Sequence, residues 1–205
     1  MLLARYSYKL YVDMRRGYIE TVKSLSQAVE VKDPYTQGHS LRVGEYAVDL
    51  GKRVKLSSKK LENLKMAAIL HDIGKIGIEE SILNKPGALT KEEFDKIKQH
   101  PEDGAKIIQD IEFLKQAADI IMGHHEKIDG TGYPKGLKKS EIRIEAAILG
   151  IADVYDALTS DRPYRKAMTI EQALSIIEDG KGKHFDARLA DEFMNMIKEQ
   201  RREAQ

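Results

Sequence analysis

The stretch from Ser140 to Thr159 limits the available folds more than any other part of this chain. Ile142, Ile144, Ala146, Ala147, Ile148, Leu149, Ile151, Ala152, Val154 and Leu158 put apolar side chains almost all round a helix. A helix without a polar face cannot lie on a surface, so it belongs in the middle of a domain. Two carboxylates, Asp153 and Asp156, interrupt it one turn apart and therefore share a face. Buried carboxylates repel unless a cation lies near them. A metal ion would supply that charge. An arginine such as Arg162 pairing with Asp153, with Asp156 at an exposed helix end, would serve as well.

A central helix needs others to cover it, and the remaining chain supplies them. Tyr8, Tyr11, Val12, Ile19, Val22, Leu25 and Val29 recur at helical spacing until Asp33-Pro34. A second stretch follows Gly38, and a third, capped by Ser57 or Ser58, runs through LENLKMAAILHD to Gly74. Thr90-x-x-Glu93 reads as a capping box, and Thr169-x-x-Gln172 starts another helix. Helices are expected near 102–109 and 114–124, and Leu189, Phe193, Met196 and Ile197 mark a last one. Period-2 alternation is nearly absent, so the expected class is all-α. The 205 residues suit one domain over 31–205, with residues 1–30 an extra N-terminal or linker helix.

Charge and cysteine content narrow the chemistry. With 34 Lys and Arg against 33 Asp and Glu, the chain is no basic coat for a nucleic acid polymer. No run of residues approaches a membrane span, and the apolar stretch in MLLARYSYKL is too short to be expected to act as a signal peptide. The absence of cysteine excludes disulfides, thiolate metal sites and thiol nucleophiles, and agrees with a cytoplasmic location. Any metal must therefore be held by histidine and carboxylate, and five of the six histidines fall between positions 39 and 125.

Each of those histidines has a plain structural reading. His71-Asp72 ends an apolar helix and could be a C-cap before Gly74. His124-His125-Glu126 could be a solvated helix end, His100 a surface cap, and His39 a polar N-terminal residue. Taken together with Asp153, they suit two ions instead. Imidazole with carboxylate favours Mn, Fe, Zn, Co or Ni over Ca, and two such ions are a common device for phosphoester hydrolysis. His184, beside Phe185, is read as structural.

At this point the motifs resemble a known family. His39, then LHDIGKIGI, HHEKIDGTGYPKGL, IADVYDALTSDRPYRKAM and HFD follow the order of the HD-GYP group of the HD superfamily of metal-dependent phosphohydrolases. The similarity runs from about Asp33 to Phe193. It implies an HD-superfamily helical bundle with a GYP loop that hydrolyses cyclic di-GMP to linear pGpG, and on to GMP, by a hydroxide bridging two metal ions. It also implies metal ligands at His39, His71, Asp72, His100, His124, His125 and Asp153, with Asp72 spanning both ions. Iron or manganese is the favoured pair, with zinc, cobalt or nickel as other choices. Tyr133, Arg162 and Arg165 match nucleotide-contacting positions, and Gly132 lies among the glycines that would let the loop approach a ligand. Lys75 matches a lysine that acts near the scissile phosphate.

Asp156, one turn from Asp153, would bind a metal water or orient a ligand histidine, and Glu126 would orient another histidine. Tyr35 stands where some members carry a glutamate for a third ion, which favours two. Ile128 replaces a usually aromatic residue. Expected partners are cyclic di-GMP, a GGDEF-type protein or an upstream sensor or receiver domain, and a second copy through the N-terminal helix. Another HD-superfamily nucleotide phosphohydrolase, or a nucleotide-binding signalling adaptor, are the alternatives.

Overall fold

The computed structural model describes residues 2–33, 38–161 and 166–203. The elements are α1 (Leu2–Lys32), α2 (His39–Arg53), α3 (Ser58–Leu70), a 3-10 turn (Ile73–Gly77), α4 (Glu80–Leu83), α5 (Lys91–Ile97), α6 (His100–Ile108), a 3-10 turn (Glu112–Leu114), α7 (Lys115–Met122), α8 (Ile144–Thr159), α9 (Ile170–Gly180) and α10 (Ala187–Glu203). Among the described residues the only β pairing is two isolated bridges, Asp129 with Lys138 and Lys181 with Phe185. The all-α expectation is met.

The apolar stretch is the central helix. Ile148, Leu149, Ile151 and Ala152 of α8 have no exposed surface, and α2, α3, α7, α9 and α10 pack around it. Each such Ile or Leu contributes about 1.5–3 kcal/mol by leaving water. The helix starts at Ile144, two residues later than its apolar pattern begins at Ile142. Residues 140–143 are held otherwise: the Glu141 carboxylate accepts from the Lys138 amide and closes a turn there. The two capping boxes form as expected, Thr90 with Glu93 and Thr169 with Gln172, and Ser57 caps α3. The helix α6 begins at His100 with Pro101 in its first turn, where a missing N–H costs nothing.

Helix α1 has two halves with different roles. Its 31 residues make a rod about 46 Å long. In its C-terminal half Val22 and Val29 are buried in the core, so the boundary expected near residue 30 falls inside a packed helix. The face that buries them continues through Val12 and Tyr8, which stand exposed. At the other end Lys32 Nζ donates to the carbonyls of Ile76 and Ile78 at 2.7 and 2.5 Å, and Asn84 donates to the Lys32 carbonyl. The end of α1 thus clamps the turn that follows Asp72.

That turn also lies hard against α6. A Cβ on Gly74 would sit 2.0 Å from the His100 carbonyl oxygen and 2.6 Å from the Gly104 nitrogen. On α8, a Cβ on Gly150 would sit 2.5 Å from the His124 carbonyl oxygen. Bare backbone at these two points lets three histidine-bearing segments converge.

Candidate metal centre

Three histidines are fixed by one local device. The Nδ1–H of His71 donates to the Ala68 carbonyl at 2.8 Å, that of His100 to Ile97 at 2.8 Å, and that of His124 to Ile121 at 2.6 Å. Each acceptor is a carbonyl near the C-terminus of α3, α5 or α7, where helices leave carbonyls without partners. The bond fixes the ring and its tautomer, and leaves Nε2 as a lone pair facing inward. The C-cap position of His71 and an inward-facing Nε2 therefore coexist in one side chain. The chain has left α7 before His124 and His125, which lets both rings turn inward with centroids 3.9 Å apart.

His39 is oriented differently. It opens α2, where the Glu30 carboxylate accepts from the amides of Gly38 and Ser40 on either side of it. Its Nδ1–H donates to Asp156 at 2.7 Å, so Nε2 again points into the site.

The inward atoms lie at ligand spacing. His39 Nε2 is 3.3 Å from His71 Nε2, and His100 Nε2 is 3.5 Å from His124 Nε2. Two lone pairs cannot face each other so closely unless a cation or proton joins them. Nitrogens each about 2.0–2.1 Å from a tetrahedral ion would be roughly 3.3 Å apart. Asp153 Oδ1 lies 3.2 Å from His39 Nε2 and 3.7 Å from His71 Nε2, with Oδ2 3.9 Å from His125 Nδ1. Asp72 reaches both ways, Oδ2 being 3.6 Å from His71 Nε2 and Oδ1 3.5 Å from His100 Nε2. All seven residues expected as ligands meet here. They form overlapping donor groups: His39, His71 and Asp153; His71, Asp72 and His124; His100, His124 and His125. This set fits divalent metal.

Electrostatics agree. Burial would raise the Asp72 and Asp153 carboxyls, but Lys75 and the histidines hold Asp72, and His39 and His71 hold Asp153, well below the usual range. Burial lowers His100 and His124, and takes His125 down to about 3, so these rings are neutral donors. Burial also opposes charge on His39, yet hydrogen bonds to Asp153 and Asp156 outweigh it and push its value to about 9. Metal must displace that proton. Metal affinity is therefore expected to rise as pH climbs toward about 9 and then level off, with close to one proton released per chain from this ring at pH 7. Calorimetry of Mn²⁺ binding in buffers of different ionisation enthalpy measures the proton; an affinity independent of pH from 6 to 9 would contradict it.

Asp156 does not sit at an exposed helix end; it is buried, and its partners are His39 and Arg42. Asp153 faces His39, His71 and His125. Arg162, Arg165 and Tyr35 lie outside the described residues. Lys75, on the turn after Asp72, puts Nζ 2.8 Å from Asp72 and 3.3 Å from Asp33. An open cavity of about 380 Å³ lies over the cluster, bounded by Lys75, Ile97, Tyr133 and the face of α8 carrying Val154, Ala157 and Leu158.

The GYP loop is shaped from behind. Glu126 does not orient a histidine. Its carboxylate accepts from the Lys135 and Leu137 amides at 2.7 and 2.8 Å and gathers the loop round itself. Gly132 is pressed against it: a Cβ there would be 2.3 Å from the Lys127 nitrogen. This seats the Tyr133 ring on His125, centroids 4.7 Å apart, and burial keeps the phenol protonated. His184 stays apart from the cluster; its carbonyl accepts from the Ile128 amide and its ring packs by Phe185. Arg42, Glu30 and Asp33 were not singled out from the sequence. Arg42 had a usable signal, since it follows His39 by three residues on the same helical face.

Comparison with known proteins fits this geometry. The HD domain family matches residues 23–189. A cyclic di-GMP phosphodiesterase of Thermotoga maritima is 36% identical over 200 residues, 97% of this chain and 54% of that protein. The cyclic di-GMP phosphodiesterase response regulator RpfG of Xanthomonas campestris is 40% identical over 84% of this chain and 46% of its own. A 3'3'-cGAMP-specific phosphodiesterase of Vibrio cholerae is 40% identical over 80% of this chain and 36% of its own. The chain thus spans about half or less of these curated relatives. A solved V. cholerae cyclic GMP-AMP specific phosphodiesterase shares the fold, with TM-score 0.72 at 21% identity over 89% of this chain and 49% of that one. No described helix is long and apolar enough to cross a membrane. A match across residues 23–189, at this identity to such relatives, means that the chain belongs to the HD domain family, in its HD-GYP branch.

Proposed function

We propose that this chain is a phosphodiesterase for cyclic dinucleotides, with cyclic di-GMP its substrate, giving pGpG and, after a second cut, GMP. The observation that carries this reading is the open cavity whose floor is formed by His39, Asp72, His100, His125 and Asp153 of the His and Asp cluster and whose wall carries Lys75 and Tyr133. The cluster divides into His39, His71 and Asp153 on one side and His100, His124 and His125 on the other, with Asp72 reaching both. That division supports two ions; the mixed imidazole and carboxylate set suits transition metals, and the choice of iron or manganese among them rests on likeness to the family. Bound there, divalent ions would supply Lewis acidity toward water and the scissile phosphate.

The remaining work falls to the chain. Lys75, held at the cavity wall by Asp72 and Asp33, offers its ammonium to the leaving 3′-oxygen as hydrogen-bond and proton donor. The phenol of Tyr133, kept protonated by burial, donates to phosphate or stacks on a base. Val154, Ala157 and Leu158, one face of α8, give a base an apolar wall and exclude water. Arg162 and Arg165 pair with phosphate oxygens, by likeness to the family's motif.

Purified chain with Mn²⁺ or anaerobic Fe²⁺ should convert cyclic di-GMP to pGpG, read by chromatography, faster than it converts 3'3'-cGAMP. No product from either would overturn the phosphodiesterase reading, and a preference for 3'3'-cGAMP would overturn the choice of substrate. We also assign the exposed continuation of the α1 face, Tyr8 and Val12, to a contact with a second copy; sedimentation of the same preparation as a monomer at all concentrations would refute it.

A further inference from the structure

We infer that Arg42 is a positioning residue of the metal centre, acting through Asp156 on His39. The inference rests on the metal-centre reading and extends it one residue outward. Arg42 and His39 project from one face of α2 and grip the same carboxylate on α8. Arg42 Nε donates to Asp156 Oδ1 at 2.7 Å, and a terminal nitrogen donates to Oδ2 at 2.9 Å. Oδ2 also accepts from His39 Nδ1 at 2.7 Å and from Ser160 Oγ at 3.3 Å.

A carboxylate held by a planar two-point fork cannot rotate. One oxygen is thereby aimed at His39 Nδ1, which sets the tautomer that leaves Nε2 free for an ion. Asp156 alone could not do this reliably. It is buried, one turn from Asp153, and without Arg42 its charge would rest on His39, the ring it has to aim. Arg42 itself has 40% of its side chain exposed. It therefore closes the chain of contacts from solvent to ligand: guanidinium, carboxylate, imidazole. A lysine could neutralise the charge but could not hold both oxygens.

The test is a double-mutant cycle on the full chain, with Mn²⁺ as the probe and its dissociation constant as the readout. Arg42→Gln is expected to weaken Mn²⁺ binding by about 10–100-fold, Arg42→Lys by less, and Asp156→Asn by as much as Arg42→Gln. If Arg42 acts through Asp156, adding Arg42→Gln to Asp156→Asn causes no further loss. The double variant leaves no unpaired buried charge, so it remains measurable even where Arg42→Gln folds poorly. Unchanged Mn²⁺ affinity in Arg42→Gln, or additive losses in the double variant, would each overturn the inference. Failure of the unmodified chain to bind Mn²⁺ would be seen separately. It would overturn the metal-centre reading and this inference with it.

Discussion

Asp72→Asn is expected to lose metal and phosphodiester hydrolysis together. Asparagine keeps the volume and the hydrogen-bonding shape, so the fold has little reason to change. It removes the negative charge that faces His71 through one oxygen and His100 through the other. Among the described residues no other carboxylate reaches toward both of those imidazoles, and each side of the cluster then holds mainly neutral nitrogen donors. Losing an orienting contact outside the ligand set typically costs 10–100-fold in metal affinity; losing a ligand shared between two sides should exceed ~100-fold. Turnover should fall by at least about 10³, or roughly 4 kcal/mol of barrier. Elemental analysis of the purified variant and product chromatography measure the two losses. Full turnover with the metal gone would defeat the metal-dependent reading.

Gly74→Ala is the largest expected effect on stability from one methyl group. The added Cβ would meet the His100 carbonyl oxygen at 2.0 Å and the Gly104 nitrogen at 2.6 Å, all backbone, so no side chain can swing aside. The turn after Asp72 must separate from the start of α6. Overpacking of this kind costs about 3 kcal/mol or more, a fall in Tm of roughly 6–12 °C for a chain of this size. The same separation pulls Asp72 away from His100, so metal retention should drop with stability. Gly77 closes the same turn, and a Cβ there meets nothing within 4 Å; Gly77→Ala should stay within about 0.5 kcal/mol. Equal melting of the two variants would show that the Gly74 contact is not tight in solution.

The two glycines mark where reading the sequence reached its limit. Gly74 was legible as a helix terminator, but its closeness to His100 depends on α6 returning to that turn. Asp156 was legible as a carboxylate one turn from Asp153, and its orienting role was one of two readings. Arg42 was not legible as its partner, because the pair is separated by more than a hundred residues. Glu126 was assigned to a histidine through adjacency, whereas the fold turns it toward amides of the loop that follows. Arg143 shows the reverse case: the apolar pattern includes its neighbours, but a turn at Lys138 comes first and the helix starts only at Ile144.

What the sequence by itself determined is local and periodic: helices, their caps, the one helix that must be central, and a ligand supply restricted to histidine and carboxylate. The seven ligands came from the order of the motifs. Only the tertiary structure decided which lone pairs face one another, that Glu126 turns to the loop amides, and that Arg42 and His39 share Asp156. The physical reason is that periodicity and capping are set within a few residues, through backbone geometry and nearest contacts. Pairing between side chains is set by which helices become neighbours, and that follows from packing the whole chain around α8.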